Sequence, residues 1–382
     1  MEVNPSIIKW AMDWNNLTAD DLKPAFPKID EWLDGTRQPT FKQLEKLAVK
    51  THTIVPHFFA ESTPDVRLQI ADFRTPSGSA PKNPSPELFE TIDEMLYRQG
   101  WMSDSFKDLG YGTVELVGHF NSIEDVDPRE AASYLNRFLG LHKNWAAIEA
   151  HSADEAVRHL RRAIEAARIS VAIAGYAGGN TRRLFDVSEF RGFVLADEYA
   201  PLIFVNGRDA KTAQLFTLAH ELAHLALGHT GLLNSPEDVL DANGHEGFCD
   251  KVAVEFLMPA DVVIRIAEEE SDSEKALATL RARTRTSTLA SLRRLRELDI
   301  IDESRFWVLY NTHVKNKAAI KPRKSGNGDY YTTKGSNLGQ LFTDAVFAGV
   351  KTGRLLYADA YKLTGMHAQV FANYYQRKGY AL

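Results

Sequence analysis

Phe216-Thr217-Leu218-Ala219-His220-Glu221-Leu222-Ala223-His224-Leu225 reads as one apolar helix carrying two histidines and a glutamate. Residues four apart share a helix face, so His220 and His224 can offer both imidazoles to one ion, while Glu221 reaches a water bound to it. A zinc ion with three protein ligands and one open position lowers the pKa of its water to about 7, and a neighbouring carboxylate can then move the proton. Glu221 is therefore the candidate catalytic base. Leu218, Leu222, Leu225 and Ala226 surround these groups. Setting two histidines and a glutamate into so apolar a helix is costly unless something coordinates or pairs them, and this weighs against a chance match.

The third ligand is expected downstream. Gly244-His245-Glu246-Gly247-Phe248-Cys249-Asp250 opens a helix on which Glu246 and Asp250 share a face. This resembles the Glu-x-x-x-Asp of thermolysin-like gluzincins, and the resemblance implies Glu246 as metal ligand and Asp250 as the group that orients a ligand histidine. His245, Asp241 and Cys249 are the rivals for the metal, and a helix N-terminal acid is the ordinary alternative for Glu246. His229 misses the third-histidine position of the metzincin pattern and reads as a helix C-terminal residue. Tyr176, Tyr199 and His245 are available to stabilise an oxyanion, with no spacing to choose among them. His and carboxylate ligands suit zinc, and also accept manganese or another divalent ion.

Outward from this helix, Phe190–Leu195 and Pro201–Asn206 read as a hairpin whose strand edge could take an extended peptide, and Asp209 as the cap of the catalytic helix. Upstream, Ser85-Pro86 opens a long helix to about Leu109, followed by helices near Pro128–Leu141 and Ala153–Ala167. Downstream come helices to about Leu298, a short strand Phe306–Tyr310, a basic loop Lys315–Asp329, and final helices from near Ser336. The expected architecture is α+β, mostly α: a zincin-type domain with a small antiparallel sheet, flanked by helical N- and C-terminal domains. Its segments are a helical module at 1–62, a Pro/Ser/Gly-rich linker or arm at 63–84, the metal-binding domain at 85–300 and an α/β accessory domain at 301–382.

With the hairpin and the later Phe256-Leu257-Met258-Pro259, the histidine helix resembles the ImmA/IrrE metallopeptidases. The helix Glu246 to Pro259 follows that family's pattern, with Cys249 and Val252 in place of its usual Ala and Phe. Pro39 to Ala48 is similar to the end of an Xre-type helix-turn-helix, and Asp72-Phe73-Arg74-Thr75 to the segment that follows it in fused members. The resemblance implies a zinc-dependent endopeptidase acting by limited proteolysis on a protein partner, commonly an Xre-type repressor or an antitoxin, in the control of phage, mobile-element, toxin-antitoxin or stress genes. The alternative is a DNA-binding regulator or antitoxin with a peptidase-like sensor domain. The N-terminal module departs from the Xre pattern: Pro24 and Pro27 fall where its turn and recognition helix belong, and five acidic residues offset its basic ones, which favours a protein-binding or degenerate role over base reading.

A net charge of -6 gives no global attraction to nucleic acid or anionic lipid, so such contact needs a local patch. Two basic stretches are candidates, Arg281 to Arg296 and Lys315 to Lys324, although most charge runs are solvated faces. The single cysteine precludes an internal disulfide, and no leader or membrane-spanning run is evident. A cytoplasmic protein without membrane contact is expected.

Overall fold

Local capping sets where the first helices begin. Asn4 caps α1 (Pro5–Trp14) by accepting from Ser6 N. Thr18 with Asp21, and Thr40 with Gln43, form reciprocal capping boxes that open α2 (Ala19–Leu22) and α4 (Phe41–Lys50), with α3 (Ile29–Leu33) between them. The computed structural model describes residues 3–15, 17–64, 84–120, 123–124, 126–233, 244–314 and 330–379. The described residues up to Asp93 form one compact unit and those from Glu94 another. The division falls within the long helix α5 (Pro86–Asp108). The expected linker, with Asp72 to Thr75, lies largely outside the described residues.

The N-terminal unit closes over Ile7, Ile8, Ala11, Leu22, Ile29 and Trp32, among others. Helices α2 and α3 are only four and five residues long, with Pro24 and Pro27 between them. Lys23 is spent on Asp20 and Asp30.

In the second unit, α6 (Pro128–Phe138), α7 (Trp145–Glu149) and α8 (Ala153–Ala166) precede the sheet. The strands are β1 (Ser170–Ala174), β2 (Gly192–Leu195), β3 (Leu202–Asn206) and, after helix α9 (Lys211–Ala226), β4 (Gly231–Leu233). Their order is β1-β3-β2-β4, with β1 parallel to β3 and the other pairs antiparallel. Strands β1 to β3 are buried along their whole length, which explains their unbroken apolar sequences. The sheet is thus mixed, and the expected β2–β3 hairpin forms its centre. A peptide cannot pair with either hairpin strand, because β1 and β4 occupy both outer sides.

Beyond it come α10 (His245–Leu257), α11 (Ala260–Glu269), α12 (Ser273–Thr284), α13 (Thr288–Glu297) and α14 (Glu303–His313). The expected strand Phe306–Tyr310 lies inside α14. Its aromatic and β-branched run suggests a strand, but Phe306 and Leu309 are buried while Trp307 and Val308 are exposed, a helical period, and Asp302 caps the start. The chain ends in α15 (Tyr330–Leu338), α16 (Gln340–Lys351), α17 (Tyr357–Thr364) and α18 (Ala368–Arg377). The described residues of 301–382 therefore form helices and no strand; the expected basic loop lies outside them.

Two apolar clusters organise this unit. The larger joins α6, α8 to α10 and the sheet; the smaller joins Met102 and Phe106 of α5 to α16, α17 and α18. Among the described residues no helix is long and apolar enough to cross a membrane.

Candidate metal centre

Helix α9 is apolar all round because it is buried all round: Leu215, Leu218, Leu222 and Leu225 are inaccessible, as is His220. No side chain caps it. Asp209, expected in that role, instead pairs with Arg191 and accepts from Ala210 N. It ends at Gly228, whose φ of 71° lies in the left-handed region that glycine favours after a helix. Its fit against the sheet depends on Gly192 of β2. A Cβ there would stand 2.5 Å from Thr217 Cγ2, 2.7 Å from Phe204 O and 3.4 Å from Glu221 Oε1. The glycine leaves the space that Glu221 and its helix occupy.

Helix α10 packs on α9 and brings Glu246 to the two histidines. His220 Nε2 and His224 Nε2 are 2.9 Å apart, Glu246 Oε1 is 3.0 Å from His224 Nε2, and Glu246 Oε2 is 3.3 Å from His220 Nε2. Four residues on, Asp250 accepts a hydrogen bond of 2.8 Å from His220 Nδ1. A carboxylate can only accept, so Nδ1 carries a proton, and once the ring is neutral it is Nε2 that faces the site with a lone pair. The expected ligands His220, His224 and Glu246, the base Glu221 and the orienting Asp250 are therefore brought together.

Two observations test whether a divalent ion fits. Ligand atoms about 2.0 Å from an ion at tetrahedral angles stand ~3.3 Å apart, and the separations here, 2.9 to 3.3 Å, come within a few tenths of that. Glu221 Oε1 and Glu246 Oε1 are also buried without a hydrogen-bond partner among the described residues, although Glu246 Oε1 lies so near His224. With the imidazoles neutral and the carboxylates ionised, lone pairs converge here with no proton to satisfy them. A shared cation resolves that.

Charge at the site follows from burial. Burial would lower the pKa of His220, but hydrogen bonds to Asp250 and Glu246 outweigh it and raise the group to about 10. Burial raises Glu221 to about 8. Burial opposes ionisation of Glu246 too, yet the two imidazoles hold it well below the usual carboxylate range. His224 is lowered, first by burial.

Of the rivals for the metal, Cys249 and His245 do not join the ligand cluster. Cys249 is buried, and burial among acidic groups pushes its thiol up, so it packs as a small apolar residue. His245 stacks edge-on against His229, with ring centroids 4.5 Å apart, and neither belongs to the ligand cluster. Asp241 lies outside the described residues. Tyr199 holds Lys107 over its ring, and the backbone of Tyr176 bridges to Leu184. Sequence reasoning missed Gly192, whose only signal was a glycine at the mouth of a strand.

At least four of the six arginines in the Arg281–Arg296 stretch have partners within the protein. Arg294 is buried against Glu255 and also pairs with Glu297; Arg283 pairs with Glu269, Arg296 with Glu303, and Arg285 donates to Ala150 O.

No curated protein matches the chain. Residues 338–377 match a domain of unknown function (DUF8813). Residues 166–296, which carry both ligand helices and the sheet, match the Peptidase_M78 family model, the IrrE N-terminal-like domain, and so support the ImmA/IrrE resemblance on the very residues that build the site.

Proposed function

We propose that the protein is a zinc-dependent endopeptidase that cuts a protein partner at a limited number of sites. The observation that carries this reading is the convergence of His220, His224 and Glu246 beside a buried Glu221 oxygen that has no hydrogen-bond partner among the described residues. When bound, zinc would polarise the scissile carbonyl and acidify a water. His220, His224 and Glu246 hold the ion, and Asp250 fixes the ring of His220 through Nδ1. Glu221 takes a proton from the attacking water and delivers it to the leaving amine. An Xre-type repressor or an antitoxin is the substrate class that the resemblance favours, met in a cytoplasmic setting.

Elemental analysis of the purified chain is expected to find about one zinc per molecule, lost in His224→Ala, since three protein ligands define one site. Glu221→Gln should keep the zinc and lose cleavage of a co-expressed repressor. A chain that takes up no metal even when zinc is supplied would overturn the reading, as would a Glu221→Gln variant that still cleaves.

A further inference from the structure

The last three helices carry features that peptide hydrolysis does not use. Helix α17 ends at Gly365, whose φ of 60° and ψ of 27° lie in the left-handed region that glycine adopts without strain. Met366 N donates back to Tyr361 O at 3.2 Å, and extended His367 opens α18. Three residues, Gly365-Met366-His367, thus join two helices. The corner is locked from inside: Ala360, Leu363, Met366, Phe371 and Tyr374 are buried. The Phe371 ring stands 5.2 Å from that of Phe347 on α16 and 5.3 Å from that of Tyr361 on α17. A glycine-led three-residue turn between the second and third helices of a small bundle is the frame in which a third helix enters the DNA major groove.

The outward face of α18 matches that use. Gln369, Asn373 and Gln376 are exposed at i, i+4 and i+7, and Gln369 Nε2 donates to Asn373 Oδ1 at 3.1 Å. Exposed amide side chains on one uncharged helix stripe can pair bidentately with adenine edges. Residues 340–379 carry five cations, Lys351, Arg354, Lys362, Arg377 and Lys378, against Asp344 and Asp359. The balance is 5 − 2 = +3 in a chain whose net charge is -6. Arg377 and Lys378 lie over the rings of Tyr331 and Tyr374 and anchor the end of α18. Lys351, Arg354 and Lys362 are exposed before and along α17, where helix-turn-helix proteins meet phosphate, although the Lys362 ammonium also lies 4.9 Å from the centre of the Tyr97 ring. The N-terminal α3, by contrast, presents Asp30 and Glu31 to solvent.

We infer that α17 and α18 form a helix-turn-helix that binds duplex DNA, with Gln369, Asn373 and Gln376 facing base edges and Lys351, Arg354 and Lys362 facing phosphates. The site is separate from the metal centre and does not depend on the peptidase reading, so Glu221→Gln should bind DNA like the wild type.

The test is fluorescence anisotropy of the full chain with a labelled random-sequence duplex of about 30 base pairs, a length that covers more than one turn of the groove. Neutralising three phosphates predicts a loss of roughly 40-fold in affinity between 50 and 200 mM salt. Lys362→Ala with Arg354→Ala should lower the salt slope by about two. Gln369→Glu with Asn373→Asp should weaken binding about tenfold or more, because it sets two negative charges against the duplex. Unchanged circular dichroism and zinc content would show that this variant folds. Selection from a random duplex library should enrich a sequence with wild type but not with Gln369→Ala and Asn373→Ala. No binding at about 50 mM salt would overturn the proposal, since cationic contacts are strongest there. Binding that the Gln369→Glu, Asn373→Asp chain retains in full would overturn it too, by placing the contact elsewhere in the chain.

Discussion

Asp250 decides which tautomer a neutral His220 presents to the ligand cluster, because a carboxylate 2.8 Å from Nδ1 accepts a hydrogen bond and so keeps a proton on that nitrogen. Asp250→Asn keeps the shape but can offer its amide group to Nδ1, which removes the preference for that tautomer. Zinc affinity should fall roughly 10- to 100-fold, measured by competition with a chromogenic chelator, while the far-ultraviolet circular dichroism stays that of the wild type. An unchanged affinity would mean that His220 is held by packing alone. The sequence made these residues legible for a simple reason. Both His220/His224 and Glu246/Asp250 are i, i+4 pairs on helices, and helical spacing survives translation from sequence to space without knowledge of the rest of the fold. The choice of Glu246 over His245 needed the structure, since adjacent residues on a helix point some 100° apart and only packing of α10 on α9 selects one direction.

At the level of elements, two contacts hold the ligand helices in register. The first is the close approach of β2 to α9 at Gly192, where an added Cβ meets the Phe204 carbonyl at 2.7 Å. Backbone cannot step aside as a flexible side chain does. Gly192→Ala should therefore destabilise the fold by about 1–3 kcal/mol and, by moving Thr217 and Glu221, lower peptidase activity more than zinc content; equal activity at equal folded concentration would refute the close-approach argument. The second is the buried pair of Arg294 on α13 with Glu255 on α10, in which Glu255 also accepts from Ala260 N and Arg294 donates to Met258 O. Removing one partner leaves the other charge buried and unpaired. Arg294→Ala should cost about 3–5 kcal/mol, read as a shift in the midpoint of urea unfolding. The same arginine shows a limit of element-level reading of the sequence. A run of arginines looks like a solvated basic patch, and nothing local announces that Glu255, 39 residues away, claims one of them. Strand β1 was missed for a related reason: five residues directly after a long helix carry no period that separates a buried strand from more helix.

Across the whole molecule, the helical majority and the embedded sheet were legible because amphipathic spacing and capping residues act locally, whereas the parallel β1–β3 pairing and the helical fate of Phe306–Tyr310 depend on long-range burial. That same burial ties global stability to the protonation of the centre. In the metal-free protein His220 is raised to about 10 from 6.5, so its contribution is present in full below pH 6.5 and fades as pH rises through about 10. Glu221 is raised to about 8 from 4.5, so the folded state holds a proton that the unfolded state has lost, and stability again falls as pH climbs from 4.5 to 8. Both slopes have the same sign. Zinc replaces those protons, and binding it to the folded state alone adds about 2.7 kcal/mol at a hundredfold excess over Kd. Zinc-loaded protein should therefore melt higher than protein stripped with a chelator, by a margin that is small at pH 6 and widens toward pH 9, where the stripped chain has lost the imidazolium and the neutral carboxyl that substitute for the ion. Calorimetric titration at pH 7 in buffers of different ionisation enthalpy should show protons released on zinc uptake. A melting margin that stays constant with pH, together with no proton release, would mean that the ion binds away from His220 and Glu221.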